Sequence, residues 1–211
     1  MSNRGAFIVI DGMDGSGKGT QIALLKQKLA DKNVLFTREP GGSPRAEEIR
    51  EMLLSSSGSA SNPVCDFFLF WAARGSHIED VVGPALENGK HVISDRFDSS
   101  THAFQIHGEQ SDQWLSDLFH TIRTTLPEKY RPDLYIVLDL DPETALGRRS
   151  ADTVQEKSKF DLKALEYHER VRTGFKHFEK TYGNVTFVDA SRSPDEVHQD
   201  IWEIVSRQLN I

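Results

Sequence analysis

The sequence of 211 residues is poor in cysteine and in long apolar stretches. Its single cysteine, Cys65, excludes an internal disulfide, and the sequence shows no cluster for a structural zinc site. No stretch approaches the roughly 18 apolar residues of a membrane-spanning helix, and the apolar run near the start is too short for a signal peptide. We therefore expect a protein without a membrane partner, in a reducing, cytoplasmic setting.

An excess of positive charge is also missing. The chain carries 25 Lys and Arg residues against 32 Asp and Glu residues, a formal net charge of −7. Such a balance disfavours a general binder of nucleic acid or of anionic membranes, although a basic pocket on an acidic shell stays open. The hydrophobic share of 37% and the charged share of 27% are typical of a folded globular chain rather than a disordered one.

Short apolar runs alternate with helical patterns along the chain. This alternation predicts one α/β domain over residues 1–211, with a five-stranded parallel sheet and helices on both faces. The predicted strands are Ala6–Asp11, Val34–Thr37, His91–Asp95, Leu134–Asp139 and Val185–Asp189. The predicted helices are Thr20–Asp31, Pro44–Leu54, Pro63–Asn88 with a bend near Pro84, Ser111–Thr125, Pro142–Arg149, Asp161–Tyr182 and Ser193–Leu209. Ligands of such sheets bind beyond the carboxyl ends of the strands.

The first predicted strand runs into a glycine-rich turn that fits the P-loop pattern of glycine, four residues, glycine and lysine. Glycines let successive backbone N–H groups turn inward around a phosphate, and Lys18 adds a mobile positive charge for the β and γ oxygens of a nucleoside triphosphate. Gly19 stands where Ser or Thr usually holds magnesium, so Thr20 is an open candidate for that ligand. Magnesium is still expected, because the run from Gly17 to Gln21 resembles the loop of adenylate kinases. The residues predicted to bind the ATP phosphates are Gly12, Met13, Asp14, Gly15, Ser16, Gly17, Lys18, Gly19 and Thr20.

Two arginines follow predicted strands: Arg38 after the second, and Arg96 after the third and its terminal Asp95. An arginine at the end of a buried strand is poorly placed for the core and well placed to grip an anion through two parallel hydrogen bonds. We expect both guanidinium groups beside the P-loop. The alternative is a pair of surface arginines in ordinary ion pairs. Asp95 either orients a magnesium-bound water or Arg96, or simply caps the strand.

Several stretches of the chain together resemble the thymidylate kinases, a family of P-loop nucleoside monophosphate kinases. The P-loop alone is unspecific, but the block Thr-Arg-Glu-Pro-Gly-Gly and the later block that begins Asp-Arg-Phe stand in the family's order. With the helical run around Asp161–Phe175, the resemblance covers nearly the whole chain and implies the P-loop NTPase fold. The matching stretches are Phe7–Gln21, Thr37–Gly42, Phe70–Arg74, Asp95–Gln105, Arg131–Leu134 and Leu138–Pro142.

The resemblance implies how the acceptor is held. Arg38 and Arg96 correspond to the arginines that grip the monophosphate, Phe70 to the aromatic residue that stacks on thymine, and Arg74 to the arginine that donates to the 4-carbonyl of the base. Phe70 and Arg74 stand at i and i+4, hence on one helix face. Cytosine would present an amine there and leave a buried donor unpaired. Phe70 as an ordinary core residue is the alternative, because its neighbours are apolar.

Further substrate contacts are implied in the same way. Ser100 or Thr101 matches the position that hydrogen-bonds the ring imide. Phe104 stands where the family often has tyrosine, so it offers shape but no hydrogen bond near the sugar, and Gln105 follows it. Asp14 matches an acidic position that contacts the sugar 3′-hydroxyl, or magnesium through water.

The predicted lid, about residues 148–161, departs from the family. Members of the family carry an arginine in the P-loop or in the lid, where it neutralises charge on the transferred phosphoryl group. The P-loop here has none, and the lid offers Lys157 and Lys159, with Arg148 and Arg149 at its start. Lys159 falls where the arginine is expected, although a lysine lacks the bidentate fork. The alternative is a solvated polar loop.

The resemblance implies transfer of the γ-phosphoryl group of ATP to dTMP with Mg²⁺, giving dTDP and ADP, in a homodimer paired through helices. A phosphate oxygen is already a competent nucleophile, so catalysis is positioning and charge neutralisation. Two alternatives stay open. One is another nucleotide or deoxynucleoside kinase, with Glu39 as the base, and the other is a non-catalytic nucleotide-binding protein. The predicted catalytic residues are Lys18, Arg38, Arg96 and Lys159; the predicted metal ligands are Thr20 and Asp95.

Overall fold

The structure is a computed structural model that describes residues 4–54, 62–151, 160 and 163–211. Within these residues, five parallel strands form one sheet in the order β2-β3-β1-β4-β5. The strands are β1 (Phe7–Gly12), β2 (Val34–Arg38), β3 (His91–Asp95), β4 (Leu134–Asp139) and β5 (Val185–Asp189). The helices are α1 (Lys18–Lys28), α2 (Pro44–Leu54), α3 (Pro63–His77), α4 (Gly83–Glu87), α5 (Asp98–Thr101), α6 (Gln113–Thr125), α7 (Pro142–Ala151), α8 (Leu165–Tyr182) and α9 (Pro194–Leu209).

Strand β1 lies at the centre of the sheet, where the strand order reverses. Its residue Ile10 pairs with Asp95 of β3 on one side and with Ile136 of β4 on the other. The chain therefore leaves the carboxyl ends of β1 and its neighbours in opposite directions, which opens a crevice there. This crevice is where the strand-end residues singled out in the sequence are brought together.

Helices cover both faces of the sheet. Because successive side chains of a strand point to opposite faces, Phe7 and Val9 of β1 belong to one apolar core, while Ile8 and Ile10 belong to another. The first core includes residues of α3, α4 and α6, and the second includes residues of α1, α8 and α9. The predicted α/β class, with a parallel sheet between two helical layers, is confirmed. No helix within the described ranges has the length and apolar content needed to cross a membrane.

The helix predicted over Pro63–Asn88 is broken by a π-helical turn at Ile78–Val82, between α3 and α4. Pro84 has no backbone N–H, so it cannot continue the α-helical ladder. The preceding Gly83 instead donates its N–H to Ile78 O, five residues back. The irregularity predicted near Pro84 thus begins at Ile78.

A second π-helical segment, His102–Gly108, follows directly on α5, where the sequence predicted no helix. The segment packs against α8, and Gly174 of α8 permits the contact. A Cβ atom at Gly174 would lie 2.8 Å from Ala103 Cα and 2.8 Å from His107 Cβ. Close packing on α8 stabilises the helical conformation of a segment whose two histidines and terminal glycine have modest or low helix propensity.

The Tyr135 hydroxyl donates to Asp98 Oδ1 at 2.6 Å, and both residues are buried. Tyr135→Phe removes a donor from a buried carboxylate, so we expect a loss of about 1–3 kcal/mol in the free energy of unfolding. Urea unfolding with an unchanged m value measures this loss.

Tyr130→Phe is the matched control, because the Tyr130 hydroxyl donates to the exposed Glu87 at 3.2 Å. That substitution is expected to cost less than about 0.5 kcal/mol. Equal losses of unfolding free energy in the two variants would contradict the larger contribution expected of the buried Tyr135–Asp98 hydrogen bond.

Candidate active site

The P-loop connects β1 to α1 and adopts conformations that require glycine. Gly12 has φ 136°, and Gly15 has φ 80°. A Cβ atom at Gly15 would lie 2.1 Å from Ala145 O of α7, and one at Gly12 would lie 2.7 Å from Leu138 O of β4. The loop therefore packs too closely against its neighbours for any side chain at these two positions.

Lys18 begins α1 and folds back over the loop. Its Nζ donates to Met13 O at 2.7 Å and to Gly12 O at 3.1 Å, and lies 3.9 Å from Asp14 Oδ1. Burial and the nearby Arg96 guanidinium lower the pKa of Lys18, with Asp14 acting in the opposite direction. A phosphate group in the loop would offset both destabilising effects, because its negative charge favours the ammonium form.

Arg96, just beyond β3, adopts a φ of 70°, a left-handed conformation that costs a non-glycine residue about 1–2 kcal/mol. This backbone turn directs the guanidinium back over the end of β1. Its Nη1 donates to Asp11 Oδ1 at 3.1 Å, to Gly12 O at 2.9 Å and to Ser100 Oγ at 2.9 Å. Its Nη2 donates to Asp14 Oδ1 at 2.5 Å. Arg96 thus joins the P-loop to the end of β3.

Both members of the Asp14–Arg96 pair stay charged over the working pH range. Burial raises the pKa of Asp14, but Arg96 and then Lys18 outweigh it and hold the pKa at about 2. Burial likewise lowers the pKa of Arg96, and Asp14 and Asp11 more than restore it. The pair therefore presents a fixed arrangement of charge at the mouth of the loop.

A cleft of about 460 Å³ lies above the carboxyl ends of the strands. The structure brings Arg38 and Arg96 to this cleft together with the P-loop. Arg38 is half-exposed, and its Nη2 donates to Glu47 Oε2 at 2.8 Å. The residues lining the cleft are Asp14, Gly15, Gly17, Lys18, Gly19, Thr20, Arg38, Glu39, Arg50, Asp95, Arg96, Arg148 and Arg149.

Arg74 of α3 lies in a buried polar network rather than on the wall of that cleft. Its Nε donates to Glu39 Oε2 at 2.8 Å, and its Nη2 donates to Thr101 Oγ1 at 3.0 Å. The other oxygen of Glu39 lies 3.0 Å from His77 Nδ1, and His77 Nε2 lies 2.6 Å from Thr37 Oγ1. Arg74 Nη1 is buried and has no hydrogen-bond partner among the described residues. The network orients Arg74 and leaves its Nη1 donor unsatisfied within the described part of the chain.

Among the other residues assigned to the substrate, Thr101 contacts Arg74, and Ser100 and Phe104 contact Arg96. Ser100 Oγ donates to Asp11 Oδ1 at 2.7 Å, and the Phe104 ring centroid lies 5.1 Å from Arg96 Cζ. Gln105 is buried, and Phe70 is half-buried with its ring 6.2 Å from that of Phe160. Together with the buried Thr101, these residues lie on α3, α5 and the second π-helical segment.

The two candidate metal ligands, Thr20 and Asp95, line the same cleft. Asp95 Oδ1 is a buried carboxylate oxygen without a hydrogen-bond donor in the part of the chain that the structure describes. Thr20 is exposed at the first turn of α1. An unsatisfied carboxylate oxygen next to a phosphate-binding loop suits Mg²⁺, which prefers oxygen ligands and keeps several waters.

The sequence of the chain is similar to those of proteins whose family is known. A sequence profile described as thymidylate kinase matches residues 10–201. The chain belongs to the thymidylate kinase family. It is 42% identical to the thymidylate kinase of Symbiobacterium thermophilum, over 96% of this chain and 94% of that protein. It is 38% identical to the thymidylate kinase of Ruegeria pomeroyi, over 100% of this chain and 99% of that protein.

The solved structure of thymidylate kinase from Ehrlichia chaffeensis superposes with a TM-score of 0.73 at 28% identity, covering 96% of this chain and 99% of that one. The predicted P-loop NTPase fold is thereby confirmed, as is the resemblance to the thymidylate kinases. Members of this family are nucleoside monophosphate kinases, which is the enzyme class that the sequence predicted.

The lid prediction falls only partly on described residues of this thymidylate kinase family member. Lys157 and Lys159 lie outside the described residues. Arg148 and Arg149, near the end of α7, line the cleft, and Arg148 Nη1 donates to Ala190 O at 3.0 Å. The structure therefore brings two cations from the start of the lid to the P-loop.

Sequence reasoning missed two residues of the site. Arg50 lines the cleft, and its Nη1 donates to Pro40 O at 2.7 Å, while burial and the nearby Arg38 lower its pKa. His77 bridges Thr37 and Glu39. Arg50 stands among the charged residues of an ordinary exposed helix, so its sequence gives no signal. His77 stands three residues after Arg74 on α3, and this spacing could have linked it to the same helix face.

Proposed function

We propose that the chain transfers the γ-phosphoryl group of ATP to dTMP, giving ADP and dTDP. The observation that carries the proposal is the charge of the cleft. Six cationic side chains line it against three carboxylates, although the chain as a whole is acidic. Such a cleft suits two phosphate-bearing ligands that face each other, a nucleoside triphosphate donor and a monophosphate acceptor.

The donor and the acceptor occupy opposite sides of Arg96 in this proposal. Lys18 and the P-loop amides hold the ATP phosphates, and Arg38 and Arg96 grip the acceptor phosphate. The enzyme holds the attacking oxygen in line with the γ-phosphorus, so the two reactants no longer have to meet by diffusion. Such positioning can lower the activation barrier by up to roughly 7–11 kcal/mol. The arginines also offset the charge that spreads over the transferred group.

We assign recognition of thymine to Arg74 and its neighbours. The Nη1 group of Arg74 is the donor left over by the network, and it matches an acceptor such as the 4-carbonyl of thymine. Phe70 supplies a stacking surface, and Ser100 or Thr101 the contact to the ring imide. We place Phe104 and Gln105 beside the sugar, with Asp14 at its 3′-hydroxyl or at the metal.

Mg²⁺ fits this site, with Asp95 and Thr20 as the residues that would hold it, directly or through water. When bound, the ion neutralises charge on the β and γ phosphates. The protein's own part is then to aim the acceptor and to exclude water from the closed cleft, because an open site would hydrolyse ATP.

The hydrogen bonds of Glu39 argue against the alternative of a deoxynucleoside kinase. A nucleoside acceptor offers a hydroxyl, which needs a carboxylate base to remove its proton. Both oxygens of Glu39 are engaged, one by Arg74 and the other by His77. The residue thus serves to position Arg74, and a monophosphate acceptor needs no such base.

We assign residues 1–211 to one domain with a lid over about 148–161, because the five strands of the described residues share one sheet. We place the reaction in the cytoplasm, with ATP and dTMP as partners and without nucleic acid or a membrane. The free Cys65 is compatible with a reducing compartment.

A coupled ADP-release assay with dTMP, dUMP, dGMP, AMP and thymidine as acceptors tests the proposed function. dTMP is expected to give the highest kcat/KM, because its 4-carbonyl accepts from Arg74 and its phosphate binds Arg38 and Arg96. Higher activity with AMP or with thymidine at equal concentration would overturn the proposal. ADP release without any acceptor dependence would indicate a simple ATPase.

Lys159 is our choice for the cation that approaches from the lid, with Arg148 and Arg149 as the comparison. Lys159→Ala is expected to lower kcat by one to three orders of magnitude, about 1.4–4 kcal/mol of barrier, with dTMP affinity nearly unchanged. Lys159→Arg is expected to keep or raise activity, because its fork suits a phosphoryl group. Steady-state kinetics of the variants gives the answer. If Lys159→Ala leaves kcat unchanged while Arg148→Ala or Arg149→Ala lowers it strongly, the cation comes from α7 and the assignment of Lys159 is wrong.

We also propose a homodimer that pairs through α3 and α6. These helices pack together, with the rings of Trp71 and Phe119 5.7 Å apart. They expose Val64, Phe68 and Trp114, which are 39%, 48% and 49% exposed. Exposed apolar side chains on neighbouring helices are typical of a two-fold interface.

Light scattering at micromolar concentration is expected to give about twice the chain mass of 23.8 kDa. Phe68→Glu should yield the monomer, because it would bury a charge in the interface. Ile211→Glu, at an equally exposed apolar residue of the carboxyl terminus, should leave the dimer intact. A monomeric parent protein would contradict the proposal.

A further inference from the structure

Three histidines outside the cleft converge between the second π-helical segment and α8. His102, His107 and His177 each offer a ligand atom, and these atoms lie within 4.8 Å of one another. The centroids of the three rings are 4.7 Å (102–107), 4.7 Å (107–177) and 5.4 Å (102–177) apart. We propose that His102, His107 and His177 bind one transition-metal ion of the Zn²⁺ type, independently of the ATP and dTMP sites.

The backbone explains why residues so far apart in the chain meet here. His102 and His107 stand five residues apart, and the i→i+5 hydrogen bonding of a π-helix aligns such residues on one face. Gly174 of α8 lets this face approach His177, three residues further along the same helix. The cluster thus depends on the π-helical conformation, which the sequence pattern did not predict.

His102 is preset as a ligand by its hydrogen bond to Gly174. Its Nδ1 lies 3.2 Å from Gly174 O. A carbonyl oxygen accepts only, so Nδ1 carries the proton and Nε2 keeps its lone pair. Metal-binding histidines commonly donate their second ring nitrogen to a carbonyl in this way, which fixes the tautomer and the ring orientation.

The local environment also favours the neutral forms of His102 and His107, as metal binding requires. Burial, together with the neighbouring His107 and His177, lowers the pKa of His102 to about 3. Burial and His177 lower the pKa of His107 as well. The hydrogen bond to Gly174 opposes the fall in the pKa of His102, and Arg123 adds to that fall, while Arg170 lines the adjoining cavity. His102 and His107 are therefore neutral near neutral pH, the form in which an imidazole binds a metal ion.

The geometry needs only a small adjustment. Zn–N bonds of about 2.05 Å place neighbouring tetrahedral ligands about 3.3 Å apart. His177 is exposed and His107 is half-buried, so ring rotation of these two can close the remaining gap around the buried His102. His107 and His177 also line a cavity of about 500 Å³, which has room for a water ligand.

The donor set selects the class of ion. Imidazole nitrogens suit Zn²⁺, Cu²⁺, Ni²⁺ and Co²⁺, whereas Mg²⁺ requires oxygen ligands. The cluster of the described residues contains no carboxylate. An ion held there would tie α8 to the π-helical segment, and binding to the folded state alone raises the stability of the protein by mass action.

The test uses the full chain without a polyhistidine tag. Zn²⁺ titration by calorimetry is expected to show one ion per chain, and Zn²⁺ is expected to raise Tm. Co²⁺ should give the intense visible absorption of a tetrahedral site. His177→Gln and His107→Gln should each abolish the Tm rise. Each should also weaken Zn²⁺ binding by at least roughly 10–100-fold, the loss seen when only a group that hydrogen-bonds a metal ligand is removed.

His198→Gln on α9 is the matched control, because His198 is a partly exposed histidine whose Nδ1 lies 3.2 Å from Gln21 Oε1. It should bind Zn²⁺ as the parent protein does. His102 is left in place because it is buried and packs against Phe119 and Phe178. Unchanged circular dichroism and unchanged Tm without metal in the His177→Gln protein would assign the loss to the ligand. Absence of Zn²⁺ binding, or binding that survives both cluster variants, would overturn the proposal.

Discussion

The cleft depends on the hydrogen bonds of the Asp11 carboxylate, which join the end of β1 to the end of β3 and the start of α5. The carboxylate is fully buried at the end of the central strand and accepts hydrogen bonds from Gly12 N at 2.8 Å, Ser99 Oγ at 2.5 Å, Ser100 Oγ at 2.7 Å and Arg96 Nη1 at 3.1 Å. Burial raises the pKa of Asp11, and Arg96 and the two hydroxyls oppose that rise. A buried carboxylate is tolerated here because hydrogen bonds and a positive charge offset much of its desolvation. The ends of β1 and β3 and the start of α5 are therefore fixed relative to one another.

The same constraint explains why Arg96 can adopt a left-handed backbone. Such a strained conformation persists only where surrounding contacts over-determine it. Here Asp11, Asp14 and the carbonyl of Gly12 all accept from its guanidinium. The guanidinium is held before any ligand arrives, so binding a phosphate costs little side-chain entropy. Preorganisation of this kind is what phosphoryl transfer demands, because its catalysis is almost wholly positioning and charge.

The sequence predicted those parts of the fold and site that local pattern determines. Five apolar runs predicted the strands of the sheet, and the spacing of the glycines predicted the P-loop around Lys18. Arg38 and Arg96 could be assigned because strand ends meet at one edge. What escaped prediction depends on tertiary packing: the helical stretch from Asp98 to Gly108 forms because Gly174 admits it against α8. Arg50 lines the cleft because of neighbours that no local pattern reveals, whereas only the spacing of His77 from Arg74 hinted at its place.

The π-helical segment connects the proposed substrate site with the histidine cluster. Phe104 of this segment lies over Arg96, while His102 and His107 of the same segment pack towards α8. A π-helix shifts the register by one residue relative to an α-helix, so its conformation decides which side chains share a face. In the observed π-helical geometry, His102 and His107 share one face of the segment, and Phe104 lies against Arg96. The contacts that hold Gly174 against this segment therefore help to position residues of both sites.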